Sequence, residues 1–433
     1  MSQESLKTGS IDKFQLTASI GGKSVDLSAG ITDFRIYESV LSNTVTATAI
    51  VVETGTNVEG SIDGLPIRGG ENLRFKIRDA QENFIDATLM VNRLRNALPE
   101  STRDTYILDF ASPEYFANDT VRVTERYGSK ISESVRKVLV DVLKTNKKLD
   151  IDDTINEYNF LGNDRKPFYT CTWLAQKSIP STDKKGGTAG FLFYQTIDSF
   201  KFKSIDTLLG QSADKSFIFN SGNKESGDDD IIINYTIDRD IDLHENLTLG
   251  YYGCSGLFFD PVSFRYVVKD YDIDEQSRQS PAKTFAGDLV NQNTRGQAQG
   301  QDIPRNTRGQ MSRLMNIVLD TGALPAGKSS KKELETWKNN PEQTNFDAEN
   351  CAIQSIMRYN QLFTIQTTIT IPGDFSIRAG DTVKCSFPKL DSDKNSGKNP
   401  QTRGIYMVAH VCHKITPENT LTSLSLVRDS YGK

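Results

Sequence analysis

The chain of 433 residues lacks the long apolar runs that mark membrane proteins. A membrane-spanning helix needs ~18 consecutive apolar residues, and the richest stretch, residues 45–52, is interrupted by Thr46 and Thr48. The amino terminus has neither a basic start before an apolar core nor an Arg-rich amphipathic pattern, so we predict no targeting segment and expect the protein to stay where it is made. We therefore expect no membrane insertion.

Cysteine is scarce and dispersed, which excludes a disulfide framework and a local zinc motif. The five cysteines are odd in number and form no C-x-x-C pair, so we expect reduced, mostly buried thiols. They are Cys171, Cys254, Cys351, Cys385 and Cys412. Nucleophilic catalysis is equally unsupported, because the chain has no G-x-S-x-G elbow and offers only His244 beside Asp242 and Glu245.

An excess of positive charge is also missing. With 51 Lys and Arg against 56 Asp and Glu, the net charge is −5, which argues against a protein whose main task is to coat nucleic acid. Apolar residues make up 36% of the chain, and 22 Phe and 15 Tyr supply large side chains for packing, which excludes a wholly disordered chain. The length is typical of roughly two to four domains.

The first hundred residues alternate apolar and polar positions, the pattern of strands with one buried face. Turns rich in Gly, Pro and Asp separate these runs, which predicts an antiparallel meander or small barrel. The predicted strands cover residues 34–38, 45–51, 73–77 and 85–91, and a closing strand covers 106–110.

The period then changes to that of a helix. Apolar residues from Ile131 to Leu143 fall on one helical stripe, and a second helix is predicted near 171–176. Two strand-like runs, 190–194 and 199–203, follow, so residues 113–225 are typical of an α+β unit.

The remainder of the chain is mainly β-patterned around a polar insertion. Residues 274–310 hold few apolar side chains, which predicts a long loop, and 346–359 favour a helix. Strands are predicted at 231–235, 264–268, 363–371, 382–387, 405–411 and 421–427.

A phosphate-binding motif, G-x-x-x-x-G-K-S, occurs at residues 322–329. In a nucleotide site, Gly322, Gly327, Lys328 and Ser329 would bind phosphates, and a strand-like run before the motif and a helix-like run after it fit such a site. The helix-like run, however, has little apolar stripe, and the following residues are mostly β-patterned, so an open α/β sheet has no obvious place to form. We favour a solvated loop and keep nucleotide binding as the alternative.

Other reactive clusters have simpler interpretations. On a strand, His410 and Cys412 share a face while His413 points to the other, so at most two of them could hold one metal ion. The run of aspartates at 228–230 lacks the spacing of a calcium loop, and carboxylate pairs such as Asp238 and Asp240 are common in a chain with this much charge. We therefore expect no catalytic residue, no metal and no cofactor.

Several short segments resemble a known family. They are residues 36–40 leading into 45–53, then 110–114 with 121–132, then 166–168, 173–175, 190–194 and 200–205, and finally 371–373, 378–381, Tyr406 and 422–429. Together they resemble the baseplate central hub protein of T-even-type contractile-tailed phages, particularly marine myoviruses. Residues 274–345 match nothing in that family.

The resemblance implies an α+β, mainly β fold, in which two antiparallel, barrel-like tube domains carry inserted α+β segments. The first tube domain maps to 1–112 and the α+β domain to 113–225. The second tube domain is assembled from 226–272 and 360–433, and 273–359 form an insertion with a long polar loop and a short helix.

The resemblance also implies a function. Such hubs are non-enzymatic virion proteins that act as homotrimers, join the tail tube to the central spike beside neighbouring baseplate proteins, and leave a channel for DNA ejection. We expect assembly in the host cytoplasm, a location in the tail baseplate, and a neutral to acidic lumen through which DNA passes without specific binding. The alternative is a nucleotide-binding tail assembly factor; a tail lysin is disfavoured because no acid/base pair stands out.

Overall fold

The computed structural model is mainly β, as predicted. It describes residues 9–18, 21–53, 67–99, 103–181, 188–219, 231–238, 242–251, 253–261, 264–272, 312–319, 348–363, 365–388 and 404–429. None of the described helices is both long and apolar enough to cross a membrane.

The described residues of the amino-terminal part form seven strands and one 3₁₀ turn, Ser28–Gly30. The strands are β1 Ser10–Thr17, β2 Ser24–Asp26, β3 Ile31–Ser39, β4 Thr46–Glu53, β5 Asn72–Arg78, β6 Phe84–Pro99 and β7 Asp104–Ala111. Each predicted strand of this region is confirmed, because its alternating apolar residues are the ones that become buried.

The middle part is mixed. It contains α1 Pro113–Thr120, β8 Arg126–Lys130, α2 Ile131–Lys137 with a π-helical turn Val138–Val142, β9 Lys148–Ile151, β10 Glu157–Leu161, α3 Pro167–Ala175, β11 Phe191–Gln195, β12 Ser199–Ser204 and α4 Ile205–Leu209. The predicted helical stripe from Ile131 to Leu143 is buried at Ile131, Val135, Val138 and Leu139, which confirms the first predicted helix. The second, predicted near 171–176, is confirmed by α3.

The carboxyl-terminal part returns to β structure. It contains β13 Lys215–Ile218, β14 Asn234–Asp238, α5 Leu243–Thr248, β15 Gly253–Asp260, β16 Arg265–Asp272, β17 Arg313–Val318, α6 Ala348–Leu362, β18 Ile365–Pro372, β19 Thr382–Ser386, β20 Gly404–Ile415 and β21 Thr420–Arg428. The strand predicted at 231–235 begins later, at Asn234, because Ile231 makes only an isolated bridge to Ile218.

Thirteen strands form one large sheet in two halves. The first half-sheet, β1 to β7, has the order β3-β4-β7-β6-β5-β1-β2, and the second, β13, β14 and β18 to β21, has the order β14-β18-β21-β20-β19-β13. Position by position, β3, β4, β7, β6, β5 and β1 correspond to β14, β18, β21, β20, β19 and β13. The pairing is antiparallel throughout both series except between β13 and β19. The chain therefore contains an internal structural repeat.

The first half-sheet curls upon itself. The ring of Phe34 on β3 lies 5.1 Å from that of Phe14 on β1 and 5.2 Å from that of Phe75 on β5, although these strands are far apart in the strand order. Rings that meet across the interior require a barrel-like curvature. Each half-sheet encloses its own apolar core, as expected for the two barrel-like units.

A third core belongs to the middle part of the chain. It joins α2, α3 and the sheet β11-β12-β9 to a separate three-stranded sheet, β16-β15-β17, and to helix α6. Strand pairing thus places β15 and β16 beside this core and β13 in the second half-sheet, whereas the sequence-based ranges put them in 226–272 and 113–225. Alternation predicts a strand but not its partner, which long-range pairing decides.

Candidate assembly junction and surfaces

The two half-sheets are joined edge to edge by β3 and β20. These strands pair antiparallel from His410 opposite Ser39 to Ile415 opposite Phe34. Residues 404–407 of β20 pair with β19 on the same side, so the carboxyl-terminal part of this long strand makes the joint. The pairing makes one continuous sheet out of the two halves.

A buried carboxylate, Glu38 on β3, fixes this joint. Its side chain is 1% exposed and accepts hydrogen bonds from the backbone N–H groups of Ile197 at 2.8 Å and Ala379 at 3.1 Å. Burial raises the pKa of Glu38, whereas Arg378, whose Nε lies 3.8 Å from Oε1, and the two amides oppose that rise. One side chain therefore ties β3 to the β11–β12 turn and to the segment before β19.

A buried amide, Gln195, connects the first half-sheet to the middle part. Its Oε1 accepts hydrogen bonds from the Val45 N–H at 3.1 Å and the Ser112 hydroxyl at 2.8 Å. Its Nε2 donates to Glu114 on α1 at 3.1 Å. Buried polar groups are costly unless they are satisfied, so this network specifies how β11 docks against β4 and α1.

A third contact links the two half-sheets through the β5–β6 turn. Asp79 is buried, and its Oδ2 accepts a hydrogen bond from the Phe375 N–H at 2.8 Å. The Phe375 ring then packs in the core of the first half-sheet and meets the His413 ring edge-on at 5.1 Å. A residue from the second unit thus completes the core of the first.

An ion-pair triad locks helix α6 to the end of β21. Arg358 is 3% exposed and donates to Asp206 on α4 at 2.9 Å and to Asp429 at 2.7 Å. Burial disfavours the charge on Arg358, but the two carboxylates outweigh burial and raise its pKa. Asp206 also accepts hydrogen bonds from the backbone and hydroxyl of Thr188. Buried charges with this many partners hold elements in one fixed arrangement.

The sheet β16-β15-β17 carries an exposed apolar face. Leu257 and Phe259 on the central strand lie between Tyr266 and Val268 on one side and Val318 on the other. Phe264, whose ring lies 6.4 Å from that of Phe259, extends the patch, and Phe264, Tyr266 and Val318 are 79%, 69% and 68% exposed. Contiguous apolar patches of this kind mark protein–protein contact sites.

The opposite face of this small sheet packs on helix α6. Phe258 is fully buried there, and a Cβ at Gly256 would stand 2.3 Å from Ile353 Cδ1. Glycine therefore lets the helix approach the central strand. The exposed apolar face is consequently held on a firmly packed support.

The large sheet has an outer face, formed by the side chains that alternate with the core residues. On the second half-sheet it consists mainly of hydroxyl and amide groups, from Asn234, Thr236, Asp238, Gln366, Thr368, Thr370, Ser423 and Ser425. On the first half-sheet two arginines lie beside carboxylates: Arg35 lies 2.8 Å from Asp33, and Arg95 lies 2.7 Å from Asp109. Across the joint, Lys414 lies 3.4 Å from Asp33.

The histidine and cysteine cluster divides between two faces, as strand alternation predicts. His410 is exposed and Cys412 half-buried, whereas His413 is buried between the Thr422 hydroxyl at 3.1 Å and the Ile377 carbonyl at 3.2 Å. Among the described residues, no group of three His, Cys, Asp or Glu side chains could hold a metal ion.

The five cysteines are free thiols, and all except the half-buried Cys412 are buried, as expected. Burial raises the pKa values of the Cys171 and Cys385 thiols, so these two stay protonated. His244 is exposed on α5, where Asp242 caps the helix by accepting a hydrogen bond from the Glu245 N–H at 2.9 Å. That contact assigns Asp242 a structural role.

Several predicted sites lie outside the described residues. These are the phosphate-binding motif with Gly322, Gly327, Lys328 and Ser329, the aspartates at 228–230, and Asp240. The described strand before the motif, β17, is an edge strand of the three-stranded sheet and pairs parallel with β15.

The sequence patterns do not predict the roles of Glu38, Gln195 and Arg358. Glu38 carries the clearest signal of the three, because it stands at an inward position of an alternating strand, where a carboxylate needs a specific partner. No local pattern marks Gln195 or Arg358, because their partners are far away in the chain.

Comparison with known proteins places the fold. No family model matches the chain, and no curated protein matches its sequence. Among solved structures, a tail protein from Neisseria meningitidis MC58 is similar at 11% identity and a TM-score of 0.52, covering 96% of this chain and 97% of that one. A 43 kDa tail protein of prophage MuSo2 from Shewanella oneidensis is similar at 11% identity and a TM-score of 0.53, covering 96% and 98%.

A third similar structure is a prophage tail protein from Listeria monocytogenes EGD-e. It shares 10% identity with a TM-score of 0.50, over 97% of this chain and 95% of that one. All three similarities extend over nearly the whole of both chains, so they concern the complete arrangement of units. The chain therefore has the fold of phage tail proteins, and the resemblance to tail hub proteins predicted from its sequence is confirmed at the level of the fold.

Proposed function

We propose that this chain is the hub subunit of a contractile-tail baseplate: a structural, non-enzymatic virion protein whose homotrimer forms a ring. The ring joins the tail tube to the central spike and leaves a channel for DNA passage. The observation that carries the proposal is the internal repeat, in which two half-sheets of the same strand order are fused edge to edge into one sheet. Three such chains supply six similar half-sheets, enough to form a ring with pseudo-sixfold symmetry.

The composition of the outer face of the large sheet agrees with a passive role as the channel wall. On the second half-sheet it is mostly hydroxyl and amide, and on the first Arg35 and Arg95 sit beside carboxylates, which leaves few exposed cations such as Arg93 and Lys384. Each cation that neutralises a phosphate adds salt-dependent affinity for DNA, so a conduit should lack unpaired cations along its wall. A wall of this composition would let duplex DNA pass without holding it.

The buried contacts indicate that the units of the chain form one rigid body. Glu38, Gln195, Asp79 and Arg358 bind units together through satisfied hydrogen bonds and ion pairs. The exposed apolar face of the sheet β16-β15-β17 offers a contact for a neighbouring tail protein. Both features are typical of an assembly component. The tube and spike are the partners that such a hub requires, and its place is the tail baseplate, after assembly in the host cytoplasm.

Light scattering coupled to size exclusion tests the proposal. We expect a species of three times the 48.3 kDa chain mass, which does not retain duplex DNA at ~150 mM salt. A chain that stays monomeric at high concentration, or that binds duplex DNA tightly at that salt, would contradict the proposal.

A further inference from the structure

The internal repeat can be aligned residue by residue. Met90 on β6 lies opposite Ala111 on β7 and Asn72 on β5. Met407 on β20 lies opposite Val427 on β21 and Thr382 on β19 in the same way. The correspondence between β6 and β20 is therefore fixed by their neighbours on both sides.

A shared irregularity confirms this alignment. The register between β6 and β7 shifts between Val91 and Arg93, and the register between β20 and β21 shifts between Val408 and His410. Each of these two shifts comes one residue after the aligned methionine, following a valine. A further shift, between Arg95 and Leu98, occurs in β6 alone, so the correspondence is carried as far as Arg95. A β-bulge at the same place in two strands is a specific feature of a fold. Counting onward from these bulges, Arg95 on β6 corresponds to Cys412 on β20.

The strands β3 and β14 correspond by the same reasoning. Tyr37 on β3 lies opposite Thr46, which lies opposite Ala111. Asp238 on β14 lies opposite Gln366, which lies opposite Val427, the equivalent of Ala111. Tyr37 and Asp238 therefore hold equivalent positions in the two half-sheets.

The joint inside the chain uses one of each pair of equivalent strands. After its bulge, β20 pairs with β3, and this places Cys412 opposite Tyr37. The equivalent part of β6, residues 93–98, pairs with β7 on one side. On the other side, β5 begins at Asn72, opposite Met90, and does not reach these residues. Within the described residues, that side of β6 has no partner strand, and β14 pairs only with β18. Within each chain the joint therefore uses the edges of β3 and β20, whereas the equivalent edges, on β14 and on residues 93–98 of β6, stay open.

We propose that these two edges pair between subunits: β14 of one chain adds antiparallel to residues 93–98 of β6 in the next chain, repeating the β3–β20 joint. Such a head-to-tail contact generates a closed ring when the rotation from one subunit to the next is a third of a turn, and it covers two unprotected sheet edges. The proposal rests on the proposed trimer and names the interface that builds it.

The charges of the two edges agree with this register. Transferring the Cys412–Tyr37 pairing to the equivalent positions puts Arg95 opposite Asp238 of the next subunit, on the outer face. The Arg95 side chain is 37% exposed, and Asp238 is exposed. Arg95 already lies 2.7 Å from Asp109 in its own chain, so the arriving carboxylate would complete a row of alternating charge. Arg93, also exposed, adds positive charge to the same edge.

Cross-linking tests the pairing directly. Directly opposed residues on antiparallel strands bring their Cα atoms to ~4.5–5.5 Å, within the range that a disulfide spans. The double variant Arg95→Cys with Asp238→Cys is oxidised with diamide and analysed on non-reducing gels. We expect a shift from single chains to linked dimers and trimers that reducing agent reverses.

A matched control is Arg74→Cys with Asp238→Cys. Arg74 is an exposed arginine on β5, a strand that already has partners on both sides. The control and the wild-type chain, whose native thiols report the background, should stay unlinked. Hydrogen exchange on the wild-type chain gives a second reading, because the β14 amides and those of residues 93–98 should gain protection on passing from dilute to concentrated protein.

The outcomes separate the pairing from the trimer. If light scattering gives a trimer, but the double variant does not cross-link and neither edge gains protection, the pairing is wrong and the trimer forms elsewhere. Equal linking in the control would also overturn the specific register. A chain that remains monomeric throughout would overturn both proposals.

Discussion

Removing the buried carboxylate at the joint between the half-sheets should loosen that joint. In Glu38→Ala, the N–H groups of Ile197 and Ala379 lose their acceptor in a buried site. An unsatisfied buried donor costs about 1–3 kcal/mol, so the two together predict a loss of about 2–6 kcal/mol. Arg378 keeps its contact to Asp198 at 2.8 Å, so its charge stays paired. The loss should therefore come mainly from the two amides.

The assay combines thermal unfolding with hydrogen exchange. The midpoint should fall, and the two amides should lose protection together with the β3–β20 pair. Glu38→Gln retains one acceptor and should fall between the wild type and Glu38→Ala. Glu133→Ala, an exposed change in the first turn of helix α2, is the matched control and should lower the midpoint far less, because a first-turn carboxylate contributes only about 0.3–1 kcal/mol. Wild-type protection of both amides in Glu38→Ala would refute the assigned role of this carboxylate.

Three further predictions concern other buried groups and the alternative function. Arg358→Met leaves Asp206 and Asp429 without their cation and should cost about 3–5 kcal/mol in chemical unfolding; an unchanged unfolding free energy would show that the triad does not hold helix α6. Burial lowers the pKa of His413 from 6.5 to about 3, so below pH 6.5 the unfolded chain gains a proton that the folded chain refuses. As the pH is lowered from 6.5 towards 3, the free energy of unfolding should decrease by up to about 1.4 kcal/mol per pH unit. His413→Asn should flatten this slope; equal slopes in the variant and the wild type would refute the assignment. ATP with Mg²⁺ should not move the melting temperature, whereas a nucleotide site at 100 times its dissociation constant would add about 2.7 kcal/mol and lose this gain in Lys328→Ala.

Local pattern was sufficient to predict most of the secondary structure. The strands from β3 to β7 and from β18 to β21 follow from period-two alternation, because one face of each is buried. The stripe from Ile131 predicted helix α2 for the corresponding reason. The resemblance carried in short segments predicted the class of fold.

The pairing of the strands could not be predicted in the same way. The alternation in β15 is equally compatible with either sheet, and only contacts with β17 and helix α6 place it beside the third core. The internal repeat is invisible in the sequence because almost no identities remain. Between β6 and β20, the aligned Met90-Val91 and Met407-Val408 are nearly the sole trace. The repeat consists of a shared pairing order and a shared bulge. In the sequence these leave only hydrophobic alternation, which occurs in any antiparallel sheet and so cannot reveal a repeat.

Electron microscopy of the purified assembly shows directly whether the half-sheets build the ring. We expect a closed threefold ring whose inner wall shows six similar half-sheets around an open channel, with the contact between subunits resembling the joint within each chain. An open filament, a twofold particle, or a threefold ring whose wall is built from the middle part of the chain would contradict it.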